Sequence, residues 1–143
     1  MTDITDFLVA RAGGRVIGLR VIDIIEVTDL GVVHEVPGTE PSLRGVTSAR
    51  GSLVPVFHLG SLLSGASHPA AQSELALMAE LDGTAICLEV DAVDVMTRGE
   101  LLPVPAGETM PWASAVVRQE DTLVPILNLN ALRERLTEAG TRA

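Results

Sequence analysis

Aromatic side chains are nearly missing from this chain: Phe7, Phe57 and Trp112 are the only three, and there is no tyrosine. A core for 143 residues must therefore be aliphatic. Its Val and Ile side chains suit pleated, half-buried surfaces. Cysteine occurs once, at Cys87, which excludes an internal disulfide. Cys87 lies in an apolar alternating run and reads as a small core residue rather than a reactive thiol. Positive charge is also scarce, with 10 Lys and Arg against 19 Asp and Glu, for a formal net charge of -9. That balance argues against nucleic acid as a partner, because phosphate binding depends on cationic side chains, and equally against anionic lipid. Proteins remain as the partner class. No apolar run approaches the length of a membrane span. The polar, acidic start (Thr2, Asp3, Asp6) is unlike a secretory leader. A cytoplasmic location without direct membrane insertion is the expectation.

The patterns of common catalytic centres are absent too. None of His34, His58 and His68 has a second His or a Cys at metal-ligand spacing. There is no Gly-rich loop with a Lys to cradle phosphate, and no G-x-S-x-G elbow. The acids are mostly scattered, as at Glu74, Glu80 and Glu100. The expectation is a protein with no catalytic residue, no metal and no cofactor.

What the chain does have is 47% hydrophobic residues, enough for independent folding, and an internal repeat. Leu53-Val54-Pro55-Val56-Phe57-His58-Leu59 matches Leu123-Val124-Pro125-Ile126-Leu127-Asn128-Leu129 at a shift of 70 residues (123 minus 53). Gly14, Ile17, Leu19 and Val21 match Gly83, Ile86, Leu88 and Val90 at a shift of 69 (83 minus 14). Val36-Pro37 matches Val104-Pro105. The order is the same in both halves. Copy one spans about 7–63 and copy two about 76–133, with a linker at about 64–75 of loop composition. This predicts two similar small modules packed together.

Each copy reads as short strands: Phe7 to Ala10, Arg15 to Val21, Ile22 to Val27, Val32 to Val36, Gly45 to Ser48 and Leu53 to Leu59, echoed by Glu74 to Glu80, Thr84 to Val90, Ala92 to Met96, Val116 to Arg118 and Leu123 to Leu129. Gly13-Gly14 marks a hairpin turn. Pro55 places its strand at an edge or bulge. Asn130 can cap a helix at about 130–139, with Leu129, Leu132 and Leu136 as its apolar stripe and Gly140 as its stop. The fold class expected is all-β with a short C-terminal helix, arranged as two β-barrels.

The segment Leu43-Arg44-Gly45-Val46-Thr47-Ser48-Ala49-Arg50-Gly51-Ser52-Leu53-Val54-Pro55-Val56-Phe57-His58-Leu59 resembles the signature of CheW-like domains, in outline (R/K)-G-V-x-N-x-R-G-x-x-V-P-V-x-D-L. Ile17-Gly18-Leu19 is similar to the family's Y-G-I element, and Ile24-Ile25-Glu26-Val27 to its V-x-E-I strand. The resemblance covers about 7–136, apart from the loop near 64–73. Ile17, Ser48 and His58 depart from the usual Tyr, Asn and Asp. The resemblance implies two five-stranded, SH3-like barrels and a chemotaxis coupling role. Its implied partners are the regulatory domain of a CheA-type histidine kinase and the cytoplasmic hairpin of a chemoreceptor. On the receptor side it singles out Gly45, Val46, Ser48, Arg50 and Gly51, and on the kinase side Ile24 and Glu26.

These residues also carry plain structural readings. Arg50 falls opposite Glu120 of copy two, so its charge serves a task peculiar to copy one or is that of an exposed turn arginine. Gly45 and Gly51 allow positive φ or close approach. Val46 fits core as well as groove, and Glu26 a solvated strand. Two other functions compete with the coupling scaffold: a diverged adaptor in another pathway such as pilus motility, and a barrel that binds or converts a small molecule. A pocket with convergent polar groups would favour the last, and a barrel filled with Val and Leu would oppose it.

Overall fold

The computed structural model describes residues 3–38, 40–107 and 110–141. Ten strands and two helices follow one another. In copy one they are β1 (Ile4–Ala12), β2 (Arg15–Arg20), β3 (Ile24–Asp29), β4 (Leu43–Ala49), β5 (Ser52–His58) and α1 (Leu59–Ser64). In copy two they are β6 (Leu75–Leu81), β7 (Thr84–Val90), β8 (Ala92–Leu102), β9 (Ala113–Gln119), β10 (Thr122–Leu127) and α2 (Leu129–Thr141). Three hairpins turn on two left-handed residues each: Gly13-Gly14, Arg50-Gly51 and Asp82-Gly83. That is the turn geometry whose twist matches flanking antiparallel strands.

The strands form two five-stranded sheets. One is a closed barrel in the order β1-β2-β10-β9-β8, and the other runs β3-β6-β7-β5-β4. Read from β1 in the barrel and from β6 in the second sheet, neighbours follow in the same order with each element replaced by its repeat partner, except that β3 pairs with β6 and not with β4. Yet neither sheet is one sequence copy. The hairpin β1–β2 closes with three strands of copy two, and the hairpin β6–β7 inserts among three strands of copy one. The expectation that each copy forms its own module is corrected here: the copies exchange their leading hairpins.

The physical reason lies in those hairpins, which are apolar on both faces. Phe7 to Ala10 and Ile86 to Val90 are buried without a break. One face of β1–β2 lines the closed barrel, where Phe7 and Val9 meet Val117, Val124 and Ile126. The other face, with Leu8, Ala10, Ile17 and Leu19, packs on Leu77, Ile86, Leu88 and Val90 of the second hairpin and on Leu59, Leu62 and Leu132 of the helices. Met78 and Cys87 point instead into the second sheet with Val54 and Val56. A strand buried on both faces loses its polar alternation. Short connections carry the chain between sheets. A tight 3-10 turn at Val21–Asp23 leads out of the barrel, and Asp91 leads back, its amide donating to Arg11 O at 2.8 Å and its Oδ2 accepting from Gly13 N at 2.9 Å.

Two expected elements differ and one is new. The strand at Val32 to Val36 shrinks to one bridge between His34 and Val46. Its counterpart β8 runs on for 11 residues and pairs Leu102 with Val116, whereas in copy one Leu30 turns inward and its amide donates to Glu74 O at 2.7 Å. The helix α1 is present where none was expected. Finally, α2 starts one residue early, capped by Asn128 rather than Asn130, and includes Gly140.

Candidate partner-binding surface

The β4–β5 hairpin presents its signature residues in two directions. Residues opposed across an antiparallel pair share a face. Val46 opposes Pro55 and Ser48 opposes Leu53, so these four lie on one side, while Val54 and Val56 point inward. Leu53 is 72% exposed, an apolar side chain standing at the hairpin end beside Ser48. Burial alternates along Leu53-Val54-Pro55-Val56 although all four residues are apolar, so neither composition nor the motif marked Leu53.

Arg50 sits at the tip with φ 53, and Glu120 holds the equivalent place in β9–β10 with φ 55. The Arg50 Nε lies 3.4 Å from Glu26 Oε1, with side-chain exposures of 62% and 38%. A pair this open to water contributes little stability. It does place Arg50, expected on the receptor side, next to Glu26, expected on the kinase side, so the two expected faces meet at one point. Ile24 stands apart, half-buried and packed on the shared core. Glu26 also adds to the effect of burial in pushing the Cys87 thiol up, which leaves Cys87 a protonated core residue.

The two glycines separate cleanly. Gly45 is buried with φ 148, and a Cβ there would fall 2.1 Å from His34 O. It lets residues 33–34 lie directly on β4, so its role is structural. Gly51 has φ 78 and open space around it; it is needed for turn conformation alone.

Beneath this surface lies a polar cluster that the sequence did not reveal. Arg44, 7% exposed, makes a two-pronged contact with Glu89, 1% exposed, at 2.9 and 3.2 Å. Its remaining donors reach Pro69 O and Ala71 O on the segment between α1 and β6. The charge on Glu89 is thus balanced by a bidentate guanidinium, the geometry in which burying two charges is tolerable. Nearby, His58 fills the place of the signature's Asp and caps α1. Its Nδ1 accepts from Ser61 N at 3.1 Å and lies 2.8 Å from Ser61 Oγ. Burial holds the His58 pKa below the ordinary histidine value, opposed in part by the charge of Glu89. An N-cap needs an acceptor, which an imidazole nitrogen supplies only while it is unprotonated. His58 is thus an N-cap residue outside the usual Ser, Thr, Asp and Asn.

Two five-stranded sheets that exchange hairpins around one aliphatic core, with an exposed hairpin tip, define a double-barrel module. The chain belongs to the CheW-like domain family, whose model matches residues 6–136. No curated protein sequence matches it. Among solved structures it is similar to the scaffolding protein TtCheW from Thermoanaerobacter tengcongensis, at 21% identity and a TM-score of 0.78, over 91% of this chain and 88% of that one.

Proposed function

We propose that this protein is a non-catalytic coupling scaffold that links a CheA-type histidine kinase to chemoreceptors. The carrying observation is the CheW-like match over residues 6–136, which includes the whole hairpin bearing Arg50. The structural neighbour's description as a scaffolding protein is in keeping with this reading. Val46, Ser48, Arg50 and Leu53 form the receptor side, with Gly45 and Gly51 shaping it. Ile24 and Glu26 serve the kinase side, Ile24 by fixing β3 on the core. The acidic net charge and aliphatic barrel interiors favour protein partners over a small-molecule ligand. Among the described residues, no helix is long and apolar enough to cross a membrane; the protein would work at the cytoplasmic side of receptor arrays through its partners.

A second reading, an adaptor in another phosphorelay such as pilus motility, is favoured by the departures at Ile17, Ser48 and His58. Co-sedimentation with receptor hairpin fragments and with the kinase regulatory domain tests the first reading. Binding to both supports it, and binding to neither defeats it. Capture of a kinase from a different pathway, with no receptor, transfers the case to the second.

A further inference from the structure

The second sheet carries a polar site that the chain itself covers, and the closed barrel carries the equivalent site uncovered. In the second sheet, Arg44, His58 and Glu89 lie together beside residues 66–73, a segment with no large apolar side chain. That segment is held through its backbone: Arg44 donates to Pro69 O and Ala71 O, and Ser73 N donates to Glu89. Helix α1 rests directly on the β1–β2 turn, so that a Cβ on Gly60 would fall 2.8 Å from Gly13 Cα. Asp91 adds a tie to the same turn by accepting from Gly13 N.

The repeat carries each of these positions into the barrel. Arg44, His58 and Glu89 become Ser114, Asn128 and Arg20, and Arg44 and Ser114 both sit at the bulge of their strand pair. Ser114, Asn128 and Arg20 line one cleft of about 440 Å³. Asp82 and Asn130 replace the two small glycines Gly13 and Gly60, and both line that cleft as well. Ile22 replaces the tie formed by Asp91 and stands 78% exposed. Helix α1 ends at Ser64 and delivers the covering segment, whereas α2 continues to Thr141, and among the described residues none beyond Arg133 lines the cleft.

The cleft offers what an extended backbone requires. Arg20 supplies donors, and Asp23 and Glu80 supply acceptors; among the described residues none of the three has an ion pair. Arg133 is already engaged by Asp82 at 3.0 Å. One free cation against two free acids disfavours an acidic ligand.

We propose that this cleft docks an extended, uncharged peptide segment of a partner protein, in the way that residues 66–73 lie on Arg44 and Glu89. The Arg20 guanidinium takes its carbonyls, the Asp23 and Glu80 carboxylates take its amides, and Ile22 meets an apolar side chain at the rim. The cleft shares no residue with the β4–β5 tip, so this docking stands apart from the receptor-side reading.

Selection of displayed random peptides on the full chain tests this. Recovered peptides are expected to shift the amides of Asp23, Ser114 and Asn130 in NMR spectra of the full chain. They should bind at least about tenfold more weakly to Arg20→Ala, the loss of one charge-assisted contact. Ile22→Ser should weaken binding as well. Both positions are exposed, so the two variants should keep the wild-type urea midpoint. Recovery of no peptide, shifts centred on the β4–β5 tip, or an affinity that Arg20→Ala leaves intact overturns the proposal.

Discussion

Two arginines six residues apart in the signature do opposite work. Arg44 is closed off from water with Glu89, whereas Arg50 stands in solvent with a loose contact to Glu26. Removing Arg44 leaves Glu89 as a buried, unpaired charge, a change that costs about 3–5 kcal/mol. Removing Arg50 should cost less than about 1 kcal/mol. Urea denaturation of Arg44→Met and Arg50→Ala is therefore expected to show a large fall in midpoint for the first and almost none for the second. Equal effects would mean that burial has been misjudged at one of the two sites. Arg50 stood out in the sequence because its charge reverses between the copies. The partner of Arg44 could not, since Glu89 lies 45 residues away and occupies an ordinary place in an alternating strand. Pattern shows where a side chain falls along a strand; it does not show which distant charge meets it.

At the scale of elements, the path of the chain after β3 depends on what β4 can accept at its edge. Gly45 admits the backbone of His34, and the Thr47 hydroxyl donates to Val32 O at 2.9 Å on the same segment. A methyl group at position 45 would collide with His34 O and would also sit at an unfavourable φ. Gly45→Ala is expected to lose at least about 1–3 kcal/mol, together with amide protection at Val46, whose N donates to His34 O. Gly51→Asn should lose less than about 1 kcal/mol, because Asn accepts left-handed backbone and nothing crowds the site. Similar losses at both positions would contradict the packing described. Most strands were legible from alternation and turn residues. The break after β3 was not, because Val32 to Val36 has strand composition while its backbone partners are set by Leu30 turning inward. Helix α1 was hidden for a different reason: it has only six residues, and its cap is a histidine in place of the usual Ser, Thr, Asp or Asn.

For the whole molecule, the repeat was visible in the sequence but the exchange was not. Strand period is the same whichever copy supplies the neighbour, and doubly apolar hairpins such as β1–β2 fit either barrel until the connections are known. The exchange makes the two sheets one cooperative unit, since neither has its five strands without a hairpin from the other copy. Fragments 1–66 and 67–143, divided in the exposed linker, should each lack a folded circular-dichroism signal alone and recover it on mixing. A fragment that folds by itself would refute this dependence. The proposed function rests on the exposed β4–β5 tip as the place where a partner docks. The most direct measurement is an amide chemical-shift titration with the receptor hairpin fragment, repeated on Arg50→Ala. The account predicts shifts centred on Val46, Ser48, Arg50 and Leu53, and at least about tenfold weaker binding in the variant, the loss of one good charge-assisted contact. Shifts confined to the β9–β10 tip, or an unchanged affinity in Arg50→Ala, would contradict it.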